Sequence, residues 1–105
     1  MVIVETPIFT RQISQLLSVE SYRQLQGALL DDPMQGKMIP GTGGLRKLRW
    51  GLGGRGKRGG VRIIYYWIRD RGWLLMLFAY RKTAQDDLTA AQKRTLRRLV
   101  EEELK

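Results

Sequence analysis

Val61-Arg-Ile-Ile-Tyr-Tyr-Trp-Ile-Arg69 and Trp73-Leu-Leu-Met-Leu-Phe-Ala-Tyr80, with Asp70-Arg-Gly72 between them, decide the fold of this 105-residue chain. Both runs are aromatic, β-branched and apolar at successive positions, the pattern of central strands covered on both faces. Asp70-Arg-Gly72 supplies the tight turn that pairs them. One residue breaks the pattern. Arg62 puts a cation near the start of an otherwise apolar strand, and a cation there needs either an internal acid or an anionic ligand.

Toward the C-terminus, Thr89-Ala-Ala-Gln92 is a capping box that opens a final helix with Leu96, Leu99, Val100 and Leu104 as its apolar stripe. Toward the N-terminus, the segment from Gly51 to Gly60 holds six glycines and three cations, Arg55, Lys57 and Arg58, and reads as a mobile hairpin loop. Before it, Leu45 to Trp50 alternates, with Leu45, Lys47 and Arg49 on one side and Arg46, Leu48 and Trp50 on the other. Gly36 to Gly44 is turn-like. Asp31-Asp32-Pro33 stops a helix that carries Tyr22, Leu25 and Leu29 behind a Ser18 cap. Thr10 is expected to cap an earlier helix with Phe9, Ile13, Leu16 and Leu17 on one side, a stripe that reads as core packing. Val2 to Glu5 is a short first strand, interrupted at Pro7. The predicted fold is a single α+β domain over residues 1–105, a small antiparallel sheet in the order β-α-α-β-β-β-α. The last three strands form a meander, the helices pack on one face, and the other face carries the basic residues.

The charge is unevenly spread. Net charge is +9, from 19 Lys and Arg against 10 Asp and Glu. From Lys37 to Lys82 there are twelve basic residues and one acid, Asp70, for +11, and the rest of the chain sums to −2. Such a concentration is the footprint of a surface that binds a polyanion, although charge can also serve solubility alone. With neither Cys nor His, a disulfide framework, a thiolate zinc site and an imidazole base are all excluded, and no metal or other cofactor is expected. The longest apolar run, Trp73 to Tyr80, has eight residues, against about 20 for a spanning helix. The N-terminus lacks the basic start and length of a signal peptide. The expectation is a cytoplasmic protein with no membrane partner.

Two matches in the glycine segment are decoys. Gly51-Leu-Gly53-Gly-Arg-Gly56 fits the dinucleotide fingerprint, and Gly51 to Lys57 fits most of a P-loop. Both need glycines that lead into a helix N-terminus. Here Val61-Arg-Ile-Ile follows, a strand, and Arg58 stands where the P-loop needs Ser or Thr.

From Lys37 onward the chain resembles the RelE superfamily of toxin–antitoxin toxins, most closely its HigB-like branch. The resemblance lies in Gly36-Lys-Met-Ile-Pro-Gly-Thr-Gly-Gly-Leu-Arg-Lys-Leu-Arg49, in Gly59-Gly-Val-Arg-Ile-Ile-Tyr65, and in Phe78-Ala-Tyr-Arg-Lys82 with Asp87-Leu-Thr89 behind it. It implies a small sheet with flanking helices and an endoribonuclease (mRNA interferase) that inhibits translation, commonly in the ribosomal A site. It also implies a cognate antitoxin, in the HigB branch usually a helix-turn-helix DNA-binding protein. Lys47 and Arg49 match the cations of the second strand, Arg62 the arginine of Gly-x-Arg-x-x-Tyr, and Lys82 the basic residue after the last strand. The histidines of some HigB toxins are absent, and Leu88 stands near the late tyrosine of RelE, which leaves the general base unassigned.

RNA carries its own nucleophile, the 2′-hydroxyl, so clustered cations on a rigid sheet suffice to align it and neutralise the phosphorane. The candidate catalytic residues are Arg62, which grips the phosphate, and Lys47, Arg49 and Lys82, one of which would serve as base or acid. The candidate RNA-binding residues are Arg46, Arg55, Lys57, Arg58, Tyr80 and Arg81, with the loop cations clamping the backbone without reading sequence. Tyr80 reads equally as base-stacking group and core, while Trp67 and Trp73 read as core. A ParE-like gyrase inhibitor and a non-catalytic RNA-binding module are the competing functions.

Overall fold

The computed structural model describes residues 1–51 and 60–104, and the expected glycine loop with Arg55, Lys57 and Arg58 lies outside them. The described chain runs β1 (Val2–Glu5), α1 (Pro7–Leu16), α2 (Val19–Asp31), β2 (Lys37–Met38), β3 (Arg46–Trp50), β4 (Val61–Ile68), β5 (Trp73–Arg81) and α3 (Ala90–Glu103). A 3-10 turn at Arg69–Arg71 joins β4 to β5 and ends on Gly72, whose φ of 64° lies in the left-handed region that favours glycine. Among these residues no helix is long and apolar enough to cross a membrane.

The α+β class holds, with the two-residue strand β2 added inside the turn-like segment. The sheet has five strands in the order β1-β5-β4-β3-β2. It is mixed rather than antiparallel throughout: β2 to β5 form the meander, while β1 pairs parallel with β5, Val2 opposite Trp73 and Glu5 opposite Met76. The two N-terminal helices carry the chain from one edge of the sheet to the other, which is why first and last strands meet in parallel. Between Ile64 and Tyr65 the register slips, so that Ile64 faces Phe78 and Tyr65 faces Met76. Leu77 is passed over, and its carbonyl accepts a hydrogen bond from the Thr6 hydroxyl at 3.0 Å.

The expected single helical face is corrected. Phe9 and Ile13 of α1 and Leu25 and Leu29 of α2 pack with Val61, Ile63, Tyr65, Leu74 and Met76. Leu96 and Val100 of α3 pack on the opposite face with Ile64, Ile68, Leu75 and Leu77. Strands apolar on both sides need cover on both sides, and α3 supplies the second layer. The first cap also differs. Thr6, not Thr10, accepts the N–H of Phe9 at the start of α1, with Pro7 in the first turn, where a missing N–H does no harm. Thr10 instead donates to Glu5 at 2.6 Å. Ser18 caps α2, and the Thr89–Gln92 capping box forms as expected.

Tyr65 ties the second helix to the sheet. Its buried ring stands in β4 while its hydroxyl accepts from the Gly36 N–H at 2.9 Å and donates to the Pro33 carbonyl at 2.8 Å. A Cβ on Gly36 would lie 2.7 Å from the ring, so glycine is needed for that approach. Removing the hydroxyl strands a buried N–H. Tyr65→Phe should therefore lose about 1–3 kcal/mol of stability in urea unfolding with an unchanged m-value. Wild-type stability would show that the hydroxyl ties nothing.

Candidate phosphate-binding cleft

Strand register builds the site. On β3, Lys47 and Arg49 alternate away from Leu48, as their spacing predicts, and face the α3 side of the sheet. Lys37 of β2 lies directly opposite Lys47. Arg49 lies directly opposite Arg62 of β4, which in turn faces Tyr80 of β5. Residues directly opposite in an antiparallel pair share a face, with Cβ atoms about 5 Å apart. Two like-charged cross-strand pairs thus stand side by side on one face, an arrangement that destabilises a sheet.

A cleft of about 670 Å³ opens over this row. Lys37, Lys47, Arg49, Tyr80, Asp87 and Lys93 supply its charged and hydroxyl groups, and Met38, Ile39, Pro40 and Leu88 much of its apolar wall. Arg62 stands in the sheet between Arg49 and Tyr80 and is 4% exposed. Its Nη1 and the Tyr80 hydroxyl, both buried, have no hydrogen-bond partner among the described residues. The expected alternative of an internal ion pair fails there as well: the ion pairs are Arg23–Glu20, Lys47–Asp87 and Arg97–Glu101. Burial raises the Tyr80 phenol above its ordinary value, with Asp87 adding to the effect and Arg62 opposing it. The phenol therefore keeps its proton at neutral pH and is a donor.

Among the described residues, the one carboxylate lining the cleft is Asp87. Its Oδ1 accepts from Lys47 Nζ at 2.7 Å. That hydrogen bond and the Lys47 charge hold its carboxyl below the usual range, and Lys93 and Arg49 lower it further. The backbone is fixed beneath it. Gln85 donates to the Asp87 carbonyl at 2.9 Å and to Gln92 of the capping box at 3.0 Å, and Leu88 is buried.

Of the candidates, Lys47, Arg49 and Tyr80 line the cleft, and Arg62 stands in the sheet between Arg49 and Tyr80 without lining it. Lys82 stands one residue past β5, exposed, with its N–H on the Gly60 carbonyl, and does not line the cleft. Arg46 faces the other way and donates through Nη1 to the Met34 and Gly36 carbonyls at 2.9 and 2.7 Å, a loop-bracing contact. Arg81 is exposed opposite Val61, on the α1–α2 face. Trp67 and Trp73 pack against the two cores. Sequence reasoning missed Lys37, Asp87 and Lys93. Of these, Lys37 is the first cation of the basic block and Asp87 opens the Asp87-Leu-Thr89 stretch of the resemblance, but neither pattern assigns a role, and Lys93 carried no local signal.

A buried guanidinium nitrogen without a partner is held there at the expense of stability. Arg62→Met keeps much of the stem and removes the charge, so it should stabilise the fold by about 1–3 kcal/mol in equilibrium unfolding. A destabilised variant would mean that the guanidinium is satisfied within the protein. No protein-family model matches the sequence.

Proposed function

We propose that this chain is a metal-independent endoribonuclease, the toxin of a type II toxin–antitoxin pair of the RelE/HigB kind, which cuts mRNA on translating ribosomes in the cytoplasm. The observation that carries the reading is that, among the described residues, the buried Arg62 Nη1 and the buried hydroxyl of its cross-strand neighbour Tyr80 both lack a hydrogen-bond partner, next to the cleft-lining Arg49. Two buried donors beside a cation suit a phosphodiester, whose non-bridging oxygen accepts from one and whose 5′-oxygen accepts from the other. The Arg62 guanidinium grips a non-bridging oxygen, and Arg49 opposite it offsets the charge that grows as the phosphorane forms. The 2′-oxygen bonds to phosphorus as its proton passes to water, the bond to the 5′-oxygen breaks, and the departing oxygen takes its proton from Tyr80, whose phenolate is reprotonated from water. The products are a 2′,3′-cyclic phosphate and a 5′-hydroxyl. Because the donors are fixed on strands, little reorganisation opposes the step.

The cognate antitoxin, by family resemblance a helix-turn-helix DNA-binding protein, and the ribosome follow from the sequence motifs alone. The local chemistry stands without them. A purely RNA-binding module has no need of a cation inside an apolar strand, which favours cleavage over binding.

The test is induced expression followed by primer extension on cellular mRNA, with the purified chain assayed in chelator. Cuts inside translated codons, reduced about 100–1,000-fold in Arg62→Met, are expected. Intact mRNA accompanied by DNA damage would overturn the reading in favour of a gyrase inhibitor. Intact RNA bound with a steep salt dependence would reduce it to simple binding.

A further inference from the structure

Two rows of cations cross the sheet, and the phosphate assigned above uses only the inner one, Arg49–Arg62–Tyr80. The outer row is Lys37 opposite Lys47, with Lys93 of α3 also on the cleft. Lys47 and Arg49 lie two residues apart on β3, so the rows are offset by about 6.6 Å. That is close to the step between successive phosphates of an extended single strand. The outer row is not empty. The Asp87 carboxylate rests on Lys47 at 2.7 Å within the field of Lys93 and Arg49, an anion already placed where the cations demand one.

We propose that Lys37, Lys47 and Lys93 form a second phosphate subsite, for the nucleotide step next to the scissile one, and that Asp87 fills it until RNA arrives. The identity of the polymer rests on the reading above; the anion chemistry does not. Substrate entry is an exchange of one anion for another. The backbone of Asp87 is pinned by Gln85 and by the cap of α3, so rotation of its exposed side chain opens the subsite. The ligand is then a single strand that presents two consecutive phosphodiesters. A mononucleotide or an isolated phosphate engages only the inner row.

Binding of 2′-deoxy oligonucleotides, which lack the nucleophile, separates this subsite from catalysis. The probes are a trinucleotide with two phosphodiesters and a dinucleotide with one, titrated by NMR against the full chain. Lys37 and the Asp87 side chain are exposed, so variants there keep the fold. Asp87→Asn should tighten trinucleotide binding about two- to fivefold, the range of an exposed ion pair. Lys37→Met should weaken it by a similar factor and leave the dinucleotide unchanged. Unaltered trinucleotide affinity in Lys37→Met, or weaker binding in Asp87→Asn, overturns the subsite even if the Arg62 variant has lost cleavage. Full cleavage by Arg62→Met, with the binding contrast intact, overturns the nuclease mechanism and leaves the subsite standing.

Discussion

Everything about the cleft depends on the antiparallel register that sets Arg49 against Arg62 and Lys37 against Lys47. A shift of one residue would turn Lys47 and Arg49 to the other face and bring Leu48 and Trp50 out of the core they now share with α1 and α2. The core therefore enforces the charge arrangement. Apolar residues on the reverse side of β3 fix the strand, and the strand then has no freedom to move its cations apart. Trp50 adds a polar lock, its indole N–H donating to Ser21 of α2 at 3.1 Å. Repulsion between like charges is retained because the packing beneath it outweighs it.

The two helical layers leave only one place for such a row. Helices α1 and α2 cover one face, and α3 packs over β4 and β5 on the other through Leu96 and Val100. On the α3 side, the cleft lies toward β2 and β3, at the edge that ends in a two-residue strand. An apolar sheet end exposed there would invite pairing with another chain, and a short cationic edge discourages it. The features that protect the edge are thus the same ones that attract an anion.

Much of this was legible in the sequence, and the boundary is physical. The central hairpin, the capping box at Thr89 and the helix stop before Pro33 all follow from interactions between residues close in the chain. Lys47 and Arg49 were separated from Arg46 by strand alternation alone, so the loop-bracing orientation of Arg46 had a signal even though the residue was counted with the RNA-binding cations. The apolar character of both faces of β4 and β5 likewise implied two covering layers, which a single helical face does not supply. What local pattern did not carry were the long-range partners. Lys47 and Asp87 are 40 residues apart, and no local pattern pairs them. Thr6 and Thr10 are both plausible caps until Pro7 is recognised as the first helical residue, where its ring is tolerated.

The division of labour between strands and turn has a consequence for how the cleft holds charge. Lys37, Lys47, Arg49 and Arg62 are carried by strands whose positions the core dictates, whereas Asp87 comes from the connection between β5 and α3. The positive groups are consequently permanent features of the surface, and the negative one is attached by a single side chain. Asp87 pairs with Lys47, and among the described residues the Arg62 Nη1 has no partner while the outer lysine has one. A polyanion meets a site in which one position has buried donors without partners among the described residues and the next is closed only by a rotatable carboxylate. Affinity for the first phosphate is set by buried donors that water reaches poorly, and affinity for the second by an exposed exchange that salt screens. The two rows should therefore differ in their response to ionic strength, because burial, not charge count, separates them.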